Sequence, residues 1–317
     1  MKIMKGAIIM AFEIRPYPEW SWSQSRDQIF KDCRRKYYYH YYGSHNGWLR
    51  EASEEQRTAY RLKQITNLYM MLGDGVHLMA EASLKQWQLE KSMPEQKEIT
   101  EDVRFHLNQA YKDSLDITRW KMAPKKLKML HELYYGDKLP PKRVEQIKER
   151  IKLCIANFFE SETIQDLLSE DIKIMEIEEL NTFLINGQKI YVKLDFLYKK
   201  RNRWIIVDWK TGNESEENEN QLLLYALFLH DKYNVPFDQM EIRLEYLLSG
   251  KTAKITIDEN ELKQLKIDIV QSMDQMKKCL EDPEMNKPLP ISQFTANPNT
   301  RNCWACNFRE SCDEIAN

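Results

Sequence analysis

The spacing of apolar residues divides the chain near residue 172, with helical periodicity before it and strand periodicity after it. In residues 17–42, Ser21 or Ser23 can cap a helix carrying Ile29, Phe30 and Cys33. Over 53–90, Tyr60, Ile65, Leu68, Met71, Leu72, Val76 and Met79 recur at helical spacing, as one long helix or two. Residues 99–170 continue as helix, broken at Pro124 and Pro140-Pro141. From 172 the period falls to two, giving strands over 172–185, 189–198 and 204–211. Asn186-Gly187 joins the first two as a tight hairpin, because both residues tolerate positive φ. A helix over about 220–233, strands near 241–248 and 252–257, and a helix over about 258–280 complete the pattern. Four prolines then make the tail loop-like.

Composition narrows the classes. With 317 residues, 42% hydrophobic and 30% charged, the chain can bury a sizeable core. Lys+Arg number 47 and Asp+Glu 49, a formal charge of −2. That balance argues against a uniformly basic nucleic-acid coat but leaves room for local patches. No stretch reaches the roughly 20 apolar residues of a membrane helix. The apolar start, Ala7–Phe12, is shorter than a secretory core of roughly 7–15 residues. The expectation is a cytoplasmic protein with reduced thiols and no membrane partner. The nine glycines assemble neither GxxxxGK nor GxGxxG, so phosphate cradles of those kinds are excluded, and HExxH is missing too.

Local charge is uneven. Arg34-Arg35-Lys36 runs into five tyrosines and a histidine over 37–42. Either the rings pack inward with hydroxyls in water, or Arg34, Arg35, Lys36, Tyr38 and Tyr41 form a nucleic-acid surface, cations for phosphates and rings for bases. Residues 119–152 hold 11 Lys/Arg against four Asp/Glu, with acid concentrated instead around Glu214–Glu219.

The densest chemistry lies in the strands. Alternation puts Asp208 and Lys210 on one face. In the preceding strand Ile190, Val192, Leu194 and Phe196 form one face and Asp195 points the other way, so Asp195, Asp208 and Lys210 can meet. Two carboxylates suit a hard divalent cation, and a lysine beside it can orient water or offset charge on an attacked phosphate. Taken alone, Asp208-x-Lys210 is more often a surface salt bridge.

The order His77, Glu178, Asp195, Asp208-Trp209-Lys210, Gln221-x-x-x-Tyr225 resembles the PD-(D/E)XK nuclease superfamily, and most of all its RecB-like branch of AddB-like and CRISPR-associated nucleases. The resemblance implies a restriction-endonuclease-like α/β core, a small mixed sheet flanked by helices, with a helical insertion. It implies His77, Asp195, Asp208 and the Trp209 carbonyl as ligands of Mg²⁺ or Mn²⁺, Lys210 as the catalytic lysine, and Gln221 and Tyr225 as a pair positioning DNA and that lysine. Glu178, or its neighbour Glu179, loosely matches an accessory acidic position. Leu194 stands where the superfamily name has proline, and Lys193 where relatives often carry glycine.

Cys303-x-x-Cys306, five residues and Cys312 form a compact thiolate set, with Cys33, Cys154 and Cys279 as candidates for a fourth ligand. Cys154 and Cys279 read as ordinary helix thiols. The iron–sulfur nucleases of the RecB-like branch carry one cysteine ahead of the core and this same spacing after it. The resemblance therefore implies a [4Fe–4S] cluster on Cys33, Cys303, Cys306 and Cys312, stapling the chain ends, with zinc as the alternative. The expected organisation is 1–52 a cluster-ligand and basic/aromatic segment, 53–171 a helical region, 172–282 the nuclease core and 283–317 the cysteine-rich tail. The expected activity is metal-dependent hydrolysis of DNA, on single strands or ends, beside a separate helicase or a recombination or defence protein. The rivals are a non-catalytic nucleic-acid-binding module and a zinc-stabilised interaction protein.

Overall fold

The computed structural model describes residues 14–136, 138–168, 172–214 and 217–314, with the side chains of 217–220 and 301 excepted. The apolar start Ala7–Phe12 and Ser215-Glu216 of the acidic stretch lie outside the described residues. Among the described residues no helix is long and apolar enough to cross a membrane.

Helix α1 (Gln24–Asp32) is capped by Ser23, whose Oγ accepts from the Arg26 N–H at 3.2 Å. Cys33 is extended and ends it, α2 (Arg34–Tyr38) follows, and a π-turn over Tyr39–Gly43 closes the segment. The 53–90 stretch is two helices, α3 (Glu54–Lys63), opened by a Ser53/Gln56 capping box, and α4 (Leu68–Glu90), capped by Asn67. Between them Ile65–Thr66 leaves the helix to run parallel to Met129–Leu130. Then come α5 (Gln96–Ser114), α6 (Ile117–Met122), α7 (His131–Tyr134), α8 (Pro141–Glu160) and α9 (Glu162–Leu167). The expected break at Pro140-Pro141 is present, with proline in the first turn of α8, where its missing N–H costs nothing. The break at Pro124 is present too, since α6 ends at Met122, and a further break falls at 115–116, where the Asp116 carboxylate accepts the Arg119 N–H and starts α6.

The five-stranded sheet has β1 (Ile172–Ile185), β2 (Gln188–Lys200), β3 (Arg203–Lys210), β4 (Met240–Tyr246) and β5 (Lys251–Ile255), paired in that order. All pairs are antiparallel except β3–β4, whose parallel link requires the crossover helix α10 (Glu217–Tyr233). Helix α11 (Glu259–Lys277) and the short α12 (Thr300–Trp304) follow. Asn186 (φ +48°) and Gly187 (φ +71°) make the expected hairpin. Trp22 adds to the rim of β2 through Trp22 N–H to Lys189 C=O (2.9 Å) and Tyr191 N–H to Trp22 C=O (2.8 Å).

The sheet separates two apolar layers. One contains α10, α11, Tyr37 and Phe294, and the other α4, α5 and α8. The architecture is the expected mixed α/β sheet flanked by helices. One detail differs: Ile190, Val192 and Leu194 pack in the first layer and Phe196 in the second, so these four do not keep a single face. The alternation breaks across Asp195, level with Glu178, which adopts positive φ.

Candidate active site

Strand register builds the site. Ile177 pairs with Phe196 and Glu179 with Leu194, which brings Glu178 level with Asp195. Phe196 pairs with Val207, which brings Asp195 level with Asp208. Three adjacent strands thus present one carboxylate each at the same height. The hairpin slips by one residue between Ile174 and Glu176, and Glu178 itself adopts φ +53°. A non-glycine residue in that region is strained, and such strain is held where surrounding structure fixes a functional side chain. Helix α4 supplies His77 from above β1. Gly73, one turn earlier, lets the helix lie against Thr211 at the end of β3.

His77 Nδ1 lies 2.8 Å from Glu178 Oε1 and 3.5 Å from Asp195 Oδ1. One ligand atom from each of His77, Glu178 and Asp195 falls within 4.8 Å of the others, a spacing that could hold a metal ion. The second Asp195 oxygen accepts the Trp209 backbone N–H at 2.8 Å, which leaves Oδ1 turned to the cluster. Asp208 is 1% exposed, and Lys210 Nζ lies 2.6 Å from its Oδ2. Apart from that ion pair, Oδ2 has no hydrogen-bond partner among the described residues. Lys210 also donates to Gln221 Oε1 at 3.1 Å, and Gln221 Nε2 donates to the Tyr225 hydroxyl at 2.5 Å. Gln221 and Tyr225 are one turn apart on α10, so one helix face anchors the lysine.

The electrostatics reveal a shortage of positive charge. Burial lifts the Asp195 carboxyl, Asp208 adds to this, and the pKa reaches about 7. Burial would lower His77, but Asp195, Glu178 and Asp208 outweigh it and raise its pKa to about 9. Protons are thus held where a divalent cation would neutralise the same carboxylates. Burial also disfavours the charged forms of Glu178 and Lys210, yet their partners prevail. His77 and Lys193 hold Glu178 below the usual carboxylate range, and Asp208 holds Lys210 above the usual lysine range.

Placement refines the expected site residues. Glu178, expected as accessory, lies within the tightest group, while Asp208 sits beside that group under Lys210. Trp209 enters through its N–H, and its indole donates to Glu245 Oε2 at 2.7 Å on the opposite layer. Glu245, itself held by the Thr163 N–H and hydroxyl, and Lys193, whose Nζ is 2.5 Å from Glu178, escaped sequence reasoning. Alternation offers a signal for Lys193, since it shares a strand face with Asp195.

Elsewhere the expectations part. Arg35 is buried, donating to the Phe294 carbonyl and pairing with Asp313 (2.6 Å) and Glu314 (2.7 Å). It therefore joins the chain ends and does not belong to a solvent-facing basic surface. Tyr38 packs on Phe294 (5.0 Å) and Tyr41 on Tyr37 (5.0 Å), while Lys36 is half-buried and Arg34 is exposed. Cys33, Cys303, Cys306 and Cys312 line one cavity of ≈ 110 Å³, whereas Cys154 and Cys279 are buried elsewhere. No three of the four sulfurs lie within 4.8 Å of one another.

Three comparisons bear on this geometry. Among solved structures, the chain is similar to "Putative exonuclease" from Eubacterium rectale, at 13% identity and TM-score 0.40, over 87% of this chain and 93% of that one. It is also similar to SSO0001, at 17% identity and TM-score 0.24, over 56% of this chain and 83% of that one. No curated protein matches. The family model of the PD-(D/E)XK nucleases matches residues 21–313, a span that contains His77, all three strand carboxylates, Lys210 and the four cavity cysteines. The chain belongs to the PD-(D/E)XK nuclease superfamily.

Proposed function

We propose that this protein is a Mg²⁺- or Mn²⁺-dependent DNA nuclease of the RecB-like branch, acting on single strands or DNA ends, with a structural [4Fe–4S] cluster. One observation carries the reading: Glu178, Asp195 and Asp208 stand level on adjacent strands, facing His77 and Lys210, with protons held where positive charge is lacking. His77, Glu178, Asp195 and Asp208 would hold the ion. The ion supplies a water of lowered pKa and offsets charge on the attacked phosphate.

The remaining residues position. Lys210 is held between Asp208 Oδ2 and Gln221 Oε1, which account for two of its three donors. A third can donate to the attacking water or to a phosphate oxygen. The Trp209 N–H fixes Asp195, and Glu245 fixes the Trp209 indole from the far side of the sheet. The Gln221–Tyr225 pair holding Lys210 supports placement in the RecB-like branch.

Four thiolates lining one cavity suit a [4Fe–4S] cluster or zinc alike, and the preference for the cluster rests on the resemblance to the iron–sulfur nucleases. Cys33 comes from the end of α1 and the other three from the tail, so a cluster there would staple the ends that Arg35 already joins. Cleavage of labelled single- and double-stranded DNA with Mn²⁺, by wild type and by Lys210→Ala and Asp208→Ala, tests the activity. Wild type is expected to cut and both variants to fail; equal cutting by all three would overturn the assignment. A colourless anaerobic preparation containing zinc and no iron would remove the cluster.

A further inference from the structure

Away from the carboxylates, α3, the 43–52 loop and residues 118–126 enclose two adjoining hollows of ≈ 730 and ≈ 670 Å³ that share Trp48, Tyr60 and Lys125. No Asp or Glu lines either hollow. In a chain with 49 acidic residues against 47 basic ones, such segregation is a local choice. Arg57 and Arg61 are occupied by Glu54, but Lys63, Lys121, Lys125 and Lys126 have no carboxylate partner among the described residues. Lys63 is half-buried with its ammonium 5.5 Å from the Tyr41 ring centre, and burial together with the Arg26 charge lowers its pKa to about 8. A desolvated ammonium without a counter-ion is costly unless an anion arrives. Trp48 is 46% exposed, with Tyr60 at 5.7 Å on one side and the edge of His45 at 5.9 Å. An indole braced by neighbouring rings and open to solvent is a platform for a flat ligand.

We propose that this groove binds an unpaired nucleic-acid strand outside the catalytic centre, its phosphates on Lys63, Lys121, Lys125 and Lys126 and a base stacked on Trp48. The proposal rests on the nuclease reading for its substrate class and adds where the strand lies. Cations along a groove with an exposed ring suit unstacked bases, which a duplex does not offer. The two walls are tied, because α3 runs into Ile65–Thr66 and the 118–126 segment into Met129–Leu130, and these pair in parallel. From there α4 leads to His77, about 14 Å along the helix axis from Leu68. A strand lying in the groove would thus be fastened to the start of the helix that carries His77 of the catalytic cluster.

Fluorescence anisotropy with labelled oligo-dT, in EDTA and over a salt series, tests the groove. The Lys121→Ala/Lys125→Ala/Lys126→Ala triple variant is expected to weaken binding at least about tenfold and to flatten the log K against log salt slope by about 2. Trp48→Ala is expected to weaken oligo-dT binding about fivefold to a hundredfold with duplex binding unchanged, and Trp48→Phe to restore most of it. Lys263→Ala/Lys266→Ala, on exposed α11, is the control and should bind as wild type. Wild-type affinity and slope in the triple and Trp48 variants, or an equal loss in the control, would overturn the groove. Hydrolysis of bis(p-nitrophenyl) phosphate with Mn²⁺, a substrate too small to reach the groove, separates the two readings. Groove variants should cleave it like wild type, and Lys210→Ala should not. If wild type cleaves neither ester nor DNA but still loses oligo-dT binding with the groove lysines, the groove stands and the nuclease reading falls.

Discussion

The same sheet carries two buried clusters of charge, and they are built in opposite ways. Around Arg243 on β4, the guanidinium reaches Glu241 (2.5 Å), Asp166 (2.7 Å) and Glu162 (3.1 Å), while Lys254 pairs with Glu162, Lys200 with Asp166, and the Tyr198 hydroxyl donates to Asp166. Burial pushes Asp166 and Glu241 up, yet their partners prevail and hold both below the usual carboxylate range. Around Asp195 the outcome is reversed: one carboxyl rises to about 7 and a histidine to about 9. The first cluster closes its own charges, and the second is left wanting a cation. In the first cluster the carboxylates are held low, whereas in the second Asp195 and His77 are both raised.

The comparison breaks most sharply at Arg243. Arg243→Met strands buried carboxylates and is expected to cost about 3–5 kcal/mol of stability, read by denaturant melts, with catalysis per folded molecule nearly unchanged. Lys210→Ala should lower the cleavage rate by about 10²- to 10³-fold, and it also costs stability because Asp208 is left buried without its cation. Asp195→Asn should even stabilise the metal-free fold, because it removes a charge that burial and Asp208 oppose. A smaller effect is expected from Glu245→Gln, which weakens the anchor of Trp209. About 1–3 kcal/mol of stability should go, with a partial loss of rate rescued by no added metal.

The gentlest test is pH. His77 is raised above its unfolded value, so its contribution to stability is complete below about 6.5 and is lost as pH rises through 9. Asp195, also raised, holds a proton in the fold that the unfolded chain has released, so between about 4 and 7 it too makes stability fall with rising pH. Calorimetry in EDTA should find these contributions removed in His77→Gln and Asp195→Asn. Mn²⁺ must displace both protons, so its apparent affinity should climb by up to about tenfold per pH unit for each proton released.

Much of this was readable in the chain. Asn186-Gly187 placed the hairpin, alternation placed Asp208 with Lys210, and four-residue spacing placed Gln221 with Tyr225 on one helix face. These are local rules. What escaped depends on non-local pairing. Glu178 comes level with Asp195 through the hairpin register, and it turns with positive φ, which periodicity does not encode. The break between α3 and α4 is hidden because Ile65 is buried in a strand just as it would be in a helix. Arg35 looked like a surface cation because its partners, Asp313 and Glu314, are far along the chain.

The most direct test of the central claim is calorimetric titration of Mn²⁺ into metal-stripped wild type, Asp195→Asn and Glu241→Gln. Binding lost in Asp195→Asn and kept in Glu241→Gln is the expected result. Undiminished Mn²⁺ binding by Asp195→Asn would contradict the account.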